Sequence, residues 1–295
     1  MKSGFVSLIG RPNVGKSTLL NSIVGKKVAI TSNKPQTTRN IIQGIYNKDD
    51  IQIVFVDTPG IHKPKYKLGD YLNKQAYYSI NDVDIILFLV DVTEELGKGD
   101  LFILDKIKEQ NKPVILVLNK IDKINKQDLL PKINEYKDLY DFKEIVPLSA
   151  LKKDNVSELI NVLEKYLPDN VFYFDDTTYT NQRTEFLISE IVREKVFNNT
   201  KEEVPHSVTC VVEQIKKDKD KIILNVAVIV DRDSLKKIII GKNGAMIKQI
   251  GIESRIELEK IFDKKIFLEL YVKTIKNWRD KEKYLQELGF KDFLD

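Results

Sequence analysis

The chain has 295 residues, of which 42% are hydrophobic and 31% charged, which excludes a disordered polymer and gives room for two domains of about 100–200 residues each. The net charge is +4, and the part from Asp176 onward carries 23 basic and 21 acidic residues, so neither half is a polycation and a nucleic-acid reading has to rest on local motifs. The single cysteine, Cys210, excludes an internal disulfide; its neighbours Val208, Val211 and Val212 read as a strand that buries a free thiol, as suits a reducing compartment.

In chain order, Phe5–Ile9 is a short apolar run and a strand candidate, too short for a signal-peptide core. Gly15–Val24 follows as a helix candidate, then strands Ile41–Tyr46 and Ile51–Val56 around the turn-forming Asn47-Lys48-Asp49-Asp50, then helix Leu68–Ile80. Strand and helix alternate from there: Asp84–Val90, Lys98–Gln110, Pro113–Leu118, Lys126–Leu139, Glu144–Leu148, Asn155–Tyr166. These strands are continuous apolar runs, the pattern of parallel strands buried on both faces. The alternation predicts an α/β fold, a doubly wound, mostly parallel sheet. No run approaches the ~20 residues of a membrane span, and a cytoplasmic protein is expected.

Pro168 stops the last of these helices, and the aperiodic stretch after it predicts a first domain over 1–170, a linker over 171–181 and a second domain over 182–295. In that second part the sequence predicts helix Gln182–Phe197, strands Ser207–Ile215 and Lys221–Val230, helices Ala245–Ile250 and Glu253–Phe262, strand Ile266–Val272 and a short helix near Lys281–Leu288. The order is α-β-β-α-α-β.

Gly10-Arg11-Pro12-Asn13-Val14-Gly15-Lys16-Ser17 matches G-x-x-x-x-G-K-[ST] between a predicted strand and a predicted helix. Such a loop turns main-chain N–H groups and a helix N-terminus toward phosphate oxygens. Lys16 supplies a positive charge for the β- and γ-phosphates, and Ser17 a hydroxyl for Mg²⁺; Thr18, next in the chain, is also expected to bind the nucleotide. Asp57-Thr58-Pro59-Gly60 follows an apolar strand. By itself this is an ordinary turn; downstream of a phosphate loop, Asp57 suits the second Mg²⁺ position and Gly60 a main-chain contact to the γ-phosphate. Asn119-Lys120-Ile121-Asp122 closes the strand Pro113–Leu118, where ligands of open α/β sheets bind. The Asp122 carboxylate accepts two hydrogen bonds side by side, from N1–H and the exocyclic amine of guanine, and adenine offers no such pair. Ser149-Ala150-Leu151 ends the next strand and places a main-chain N–H for the guanine O6.

With these motifs in order, the chain resembles the translation-factor-related small GTPases, and its Gly-x-Pro-Asn-Val-Gly-Lys-Ser loop and Pro35-Gln36-Thr37-Thr38-Arg39 resemble the Era-like family. The resemblance implies GTP and GDP as ligands, Mg²⁺ held by Ser17, Asp57 and a first-switch threonine, and slow GTP hydrolysis. Thr38 is the preferred threonine, with Thr37 next. Ile61 stands where Ras-type proteins carry a water-orienting glutamine. In relatives the asparagine matching Asn13 helps to hold K⁺, which implies K⁺ as a second cofactor. Lys16, Asn13, Thr38 and Gly60 are the implied catalytic set, and His62 is expected to be a solvated loop residue.

Gly241-Lys242-Asn243-Gly244 is a Gly-x-x-Gly loop opening a helix, with Lys236, Lys237 and Lys248 beside it. A KH domain clamps about four nucleotides of single-stranded backbone on such a loop. Ile238, Ile240, Ile247 and Ile250 are candidates for the groove that takes the bases; composition alone favours them as core. The element order is that of a type II KH domain. Segments 187–195, 205–208, 240–248 and 251–255 resemble the C-terminal domain of the Era-like family. The resemblance implies an RNA site of Lys237, Ile240, Gly241, Lys242, Asn243, Gly244, Ala245 and Lys248, with the 3′ end of 16S ribosomal RNA and the small (30S) ribosomal subunit as partners. It also implies a role in 30S biogenesis, a monomer, and weak peripheral association with the inner face of the cell membrane. Two other readings remain at this stage. A metabolic phosphotransferase is opposed by Asn-Lys-x-Asp, and a GTPase whose second domain docks a protein is opposed by the lysines around Gly241–Gly244. Trp278 is expected to buttress the C-terminal helix.

Overall fold

The computed structural model describes residues 1–32, 34, 37–61, 64 and 66–290. The chain forms two compact units, Met1–Pro64 with Gly69–Asn181, and Lys65–Leu68 with Gln182–Asp295.

The first unit is the predicted doubly wound α/β domain. In chain order it runs β1 (Lys2–Ile9), α1 (Lys16–Val24), β2 (Ile42–Lys48), β3 (Ile51–Asp57), α2 (Lys67–Asn81), β4 (Ile85–Asp91), α3 (Lys98–Lys108), β5 (Val114–Asn119), α4 (Lys126–Tyr136), β6 (Glu144–Leu148) and α5 (Val156–Tyr166). The six strands lie in the order β2-β3-β1-β4-β5-β6, and only β2 runs antiparallel to its neighbour. Every residue of β4 and of β5 is buried, which is why both read as unbroken apolar runs. From β1 the chain turns one way to β3 and the other way to β4. That reversal opens a crevice at the carboxyl end of β1, the place where such sheets bind ligands.

Residues 171–181, read from sequence as linker, lie within the first unit and are hydrogen-bonded along β2 and β3. The buried amide of Gln52 donates to the Phe174 carbonyl (2.8 Å) and accepts from the N–H groups of Tyr173 (2.7 Å) and Phe174 (3.0 Å). Asn47 Nδ2 donates to the carbonyls of Asp176 and Thr178, Thr180 Oγ1 to that of Gln43, and the Ile45 N–H to that of Tyr179. The segment therefore acts as a strap over the sheet edge.

The second unit contains α6 (Thr184–Asn199), β7 (Val208–Lys217), β8 (Lys221–Val230), α7 (Asp233–Ile240), α8 (Ala245–Phe262), β9 (Lys265–Thr274) and α9 (Glu282–Glu287). Strands β7 and β8 pair antiparallel, with a bulge between Val212 and Gln214, and β9 joins β8 in parallel. One expectation needs correction. The two helices predicted over 245–250 and 253–262 are one continuous helix, α8. Gly251 lies inside it, and a Cβ there would meet Leu270 Cδ1 at an ordinary 3.6 Å. The α-β-β-α-α-β order still holds, since the run before Gly241 is itself a helix, α7. Cys210 is buried. Trp278 is fully buried, donates from Nε1 to the Ser207 carbonyl (3.3 Å) and stacks on Phe290 beyond α9.

Candidate functional site

The phosphate loop leaves β1 at Ile9 and enters α1 at Lys16. Two left-handed residues, Asn13 (φ 67°) and Gly15 (φ 101°), turn it. Gly15 has a steric reason to be glycine, because a Cβ there would lie 2.2 Å from Asn119 Nδ2. Gly15 also offers no side-chain cap to α1, so the first N–H groups of that helix, through Lys16, Ser17 and the half-buried Thr18, are available to an anion. Lys16 is 6% exposed and donates to the carbonyls of Gly10 and Arg11, both at 3.0 Å. Burial lowers its pKa to about 8, against the opposing pull of Asp57. Arg11 is engaged elsewhere, with Glu94 at 2.9 Å and Asp100 at 3.2 Å.

Three oxygen donors converge beside Lys16. Ser17 Oγ donates to Asp57 Oδ2 (2.6 Å), lies 2.9 Å from Thr38 Oγ1, and Thr38 Oγ1 reaches the same carboxylate oxygen at 3.4 Å. Asp57 is fully buried, and among the described residues its Oδ1 has no hydrogen-bond partner. Burial pushes its carboxyl above the ordinary range; Lys16, Ser17, Thr38 and the Thr58 N–H oppose that. An all-oxygen set with a buried, half-satisfied carboxylate fits Mg²⁺. Of the two candidate threonines, Thr37 turns away and donates to the Lys34 carbonyl (2.7 Å). Pro35, Gln36 and His62 lie outside the described residues. Gly60 packs directly on the phosphate loop, where a Cβ would lie 2.8 Å from Pro12 N and Cα. Ile61 is buried.

At the carboxyl ends of β5 and β6, Asn119 braces the site. Its Nδ2 donates to the Val14 carbonyl (2.8 Å), and its Oδ1 accepts from the N–H groups of Lys120 (2.8 Å) and Ala150 (3.0 Å). The Ala150 N–H is thereby used inside the protein, while Leu151 beside it is 68% exposed. Asp122 is exposed, and its Oδ1 accepts from Ser149 Oγ at 2.5 Å. Lys120 donates to the Asn13 carbonyl (2.7 Å) and to the Asp91 carboxylate. Asp91 was missed in the sequence, although it follows an apolar strand just as Asp57 does.

In the second unit the loop between α7 and α8 begins at Gly241 (φ 73°), where a Cβ would stand 2.7 Å from Met246 Cβ. Asn243 (φ 51°) and Gly244 (φ 77°) complete the turn, and Gly244 leaves the first turn of α8 without a side-chain cap. Lys237, Lys242, Asn243, Ala245 and Lys248 are exposed around it, and Ile240 is half-buried. Of the groove candidates, Ile238 is exposed and Ile247 half-buried, while Ile250 is fully buried and belongs to the core, the place that composition alone favours for it.

Comparison with known proteins agrees with this layout. A family model described as "50S ribosome-binding GTPase" matches residues 5–120, and one described as "KH domain" matches residues 203–279. A solved structure of a variant of Aquifex aeolicus Era bound to GDP·AlF4⁻ is similar at 42% identity and TM-score 0.96, covering 99% of this chain and 100% of that one. A solved structure of Era with MgGDPNP and nucleotides 1506–1542 of 16S ribosomal RNA is similar to the same extent, 42% identity and TM-score 0.96, with 99% and 100% of the two chains covered.

Proposed function

The chain belongs to the Era family of GTPases, and on that premise we propose that it cycles between GTP and GDP and binds the 3′ end of 16S ribosomal RNA during small-subunit assembly. The observation that carries the GTPase reading is the convergence of Ser17, Thr38 and Asp57 on one point beside the Lys16 ammonium and an uncapped helix N-terminus.

Each residue then has a role. Main-chain N–H groups at the start of α1 bind the phosphates, and Lys16 neutralises charge on the β- and γ-phosphate oxygens. Ser17, Thr38 and Asp57 would hold Mg²⁺, which when bound would offset the charge that develops as the γ-phosphoryl group leaves GDP. Gly60, seated on Pro12, brings its N–H toward the γ-phosphate. Asp122, oriented by Ser149, selects guanine. Ile61 has no group to orient water, and a monovalent cation held at Asn13 would supply the help that a glutamine or an arginine finger gives elsewhere. Support for that step is Asn13's exposed, left-handed position with its carbonyl held by Lys120. Unassisted turnover near ~10⁻⁴ per second is expected. It should be faster in K⁺ than in Na⁺, and Asn13→Asp should remove the difference. Equal rates in the two salts would rule the cation out.

The RNA reading rests on Gly241–Gly244 and its exposed lysines, together with the RNA-bound relative. Among the described residues no helix is long and apolar enough to cross a membrane. We place the protein in the cytoplasm, as a monomer, with weak peripheral contact at the membrane's inner face carried by the family resemblance alone.

A further inference from the structure

Asp91 belongs to none of the nucleotide motifs, yet its carboxylate holds the lysine of the base-reading motif. It is the last residue of β4 and lies directly beside Asn119, the last residue of β5. It is 6% exposed. One oxygen, Oδ1, accepts from the N–H (3.0 Å) and the hydroxyl (2.6 Å) of Thr93, which fixes the plane of the carboxylate. The other, Oδ2, accepts from the Lys120 ammonium. Lys120, itself left-handed at φ 70°, carries the connection on to the Asn13 carbonyl. A parallel tie runs from Asn119 to the Val14 carbonyl. Two consecutive carbonyls of the phosphate loop are thus held by two consecutive residues of the base-reading motif. The Lys120 tie is backed by the end of β4 through Asp91, and the Asn119 tie by the Ala150 N–H just beyond β6. Burial disfavours the Asp91 charge, but the hydrogen bonds from Lys120 and Thr93 outweigh it and leave the carboxyl below its ordinary range.

We propose that Asp91 is a positioning residue of the nucleotide site, which acts through Lys120 to hold the phosphate loop in register with the base-reading loop. A partly exposed lysine that reaches one main-chain carbonyl has several staggered conformers open to it; a fixed carboxylate beside its ammonium selects one. The inference rests on the GTPase reading. It goes beyond it in assigning nucleotide affinity to a residue that touches neither base nor phosphate.

The test is calorimetric GDP binding to the full chain, comparing the unaltered protein with D91N, K120M, the double variant and T93V. Failure of the unaltered chain to bind GDP would remove the GTPase reading itself, before any variant is considered. Given binding, D91N should weaken GDP roughly 10- to 100-fold, the scale of a lost hydrogen bond to a charged group. On the K120M background the same change should cost less than about twofold, because the partner through which Asp91 acts is gone. T93V keeps the charge and loosens only its orientation, so it should weaken GDP by a few-fold with Lys120 present and have no effect without it. That variant also carries the test should D91N fail to fold. Effects of D91N or T93V that multiply with K120M would mark a purely structural role and overturn the proposal, as would GDP binding by both variants within twofold of the unaltered chain.

Discussion

Lys16 and Asp57 are two opposite charges confined in one dry site, and burial strains both toward neutrality. A lysine with a folded pKa of about 8 against 10.5 in the unfolded chain binds fewer protons when folded. Its burial therefore costs stability in full below pH 8, and the cost fades as pH rises toward 10.5. Nucleotide binding runs the other way, because phosphate needs the ammonium form. GDP affinity should be flat from pH 6.5 to 7.5 and fall above pH 8, and calorimetry in buffers of different ionisation heat at pH 8.5 should register proton uptake. Flat affinity with no uptake would mean that Lys16 keeps its proton unaided. The neighbouring threonines give a second prediction at this scale. Thr38→Val should lower GTP turnover by roughly 10- to 100-fold through loss of an oxygen donor. Thr37→Val, which removes a hydroxyl bonded to the Lys34 carbonyl and away from Asp57, should change turnover less than about threefold. Single-turnover hydrolysis measures both, and a larger loss at Thr37 would reverse the assignment.

Elements were legible where one face or both were buried in a regular period. Strands β4 and β5, apolar throughout, and the alternation that follows β3 predicted the sheet. The phosphate and base motifs were legible because each sits at a strand end, where topology alone makes a site. Features that depend on contacts distant in sequence were not. Gln52 looks like any polar strand residue, yet its buried amide holds residues 173 and 174, more than 100 positions away. Asp91 reads as the end of an apolar run until Lys120 is seen against it. The two helices expected over 245–250 and 253–262 are one, running through Gly251, a residue whose low helix propensity gives no sign of that continuity. Two predictions follow from those long-range contacts. Gln52→Ala should cost about 1–3 kcal/mol in urea unfolding, because it strands several polar groups, and should speed hydrogen exchange at Tyr173 and Phe174. Gly251→Ala should stabilise the chain by about 0.5–1 kcal/mol, since α8 is regular there and the new methyl meets Leu270 at 3.6 Å. A loss of stability would show that the helix needs glycine at that position.

For the whole molecule, a net charge of +4 means that RNA binding has to be local rather than a general polycation effect. The exposed lysines at 237, 242 and 248 amount to about three phosphate contacts, so log affinity should fall against log salt with a slope of about −2. A slope several times steeper would point to a broader electrostatic surface. The central claim is tested most directly by binding of a short RNA carrying the 3′ end of 16S ribosomal RNA, against a scrambled RNA of the same length, at fixed salt with a GTP analogue and with GDP. The same measurement is made on the full chain and on the variant with Gly241→Asp and Gly244→Asp. The account predicts selective binding by the unaltered chain, tighter with the GTP analogue, and loss of RNA binding in the variant with GDP affinity unchanged. Equal binding of the scrambled RNA, or selective binding that survives in the variant, would contradict it.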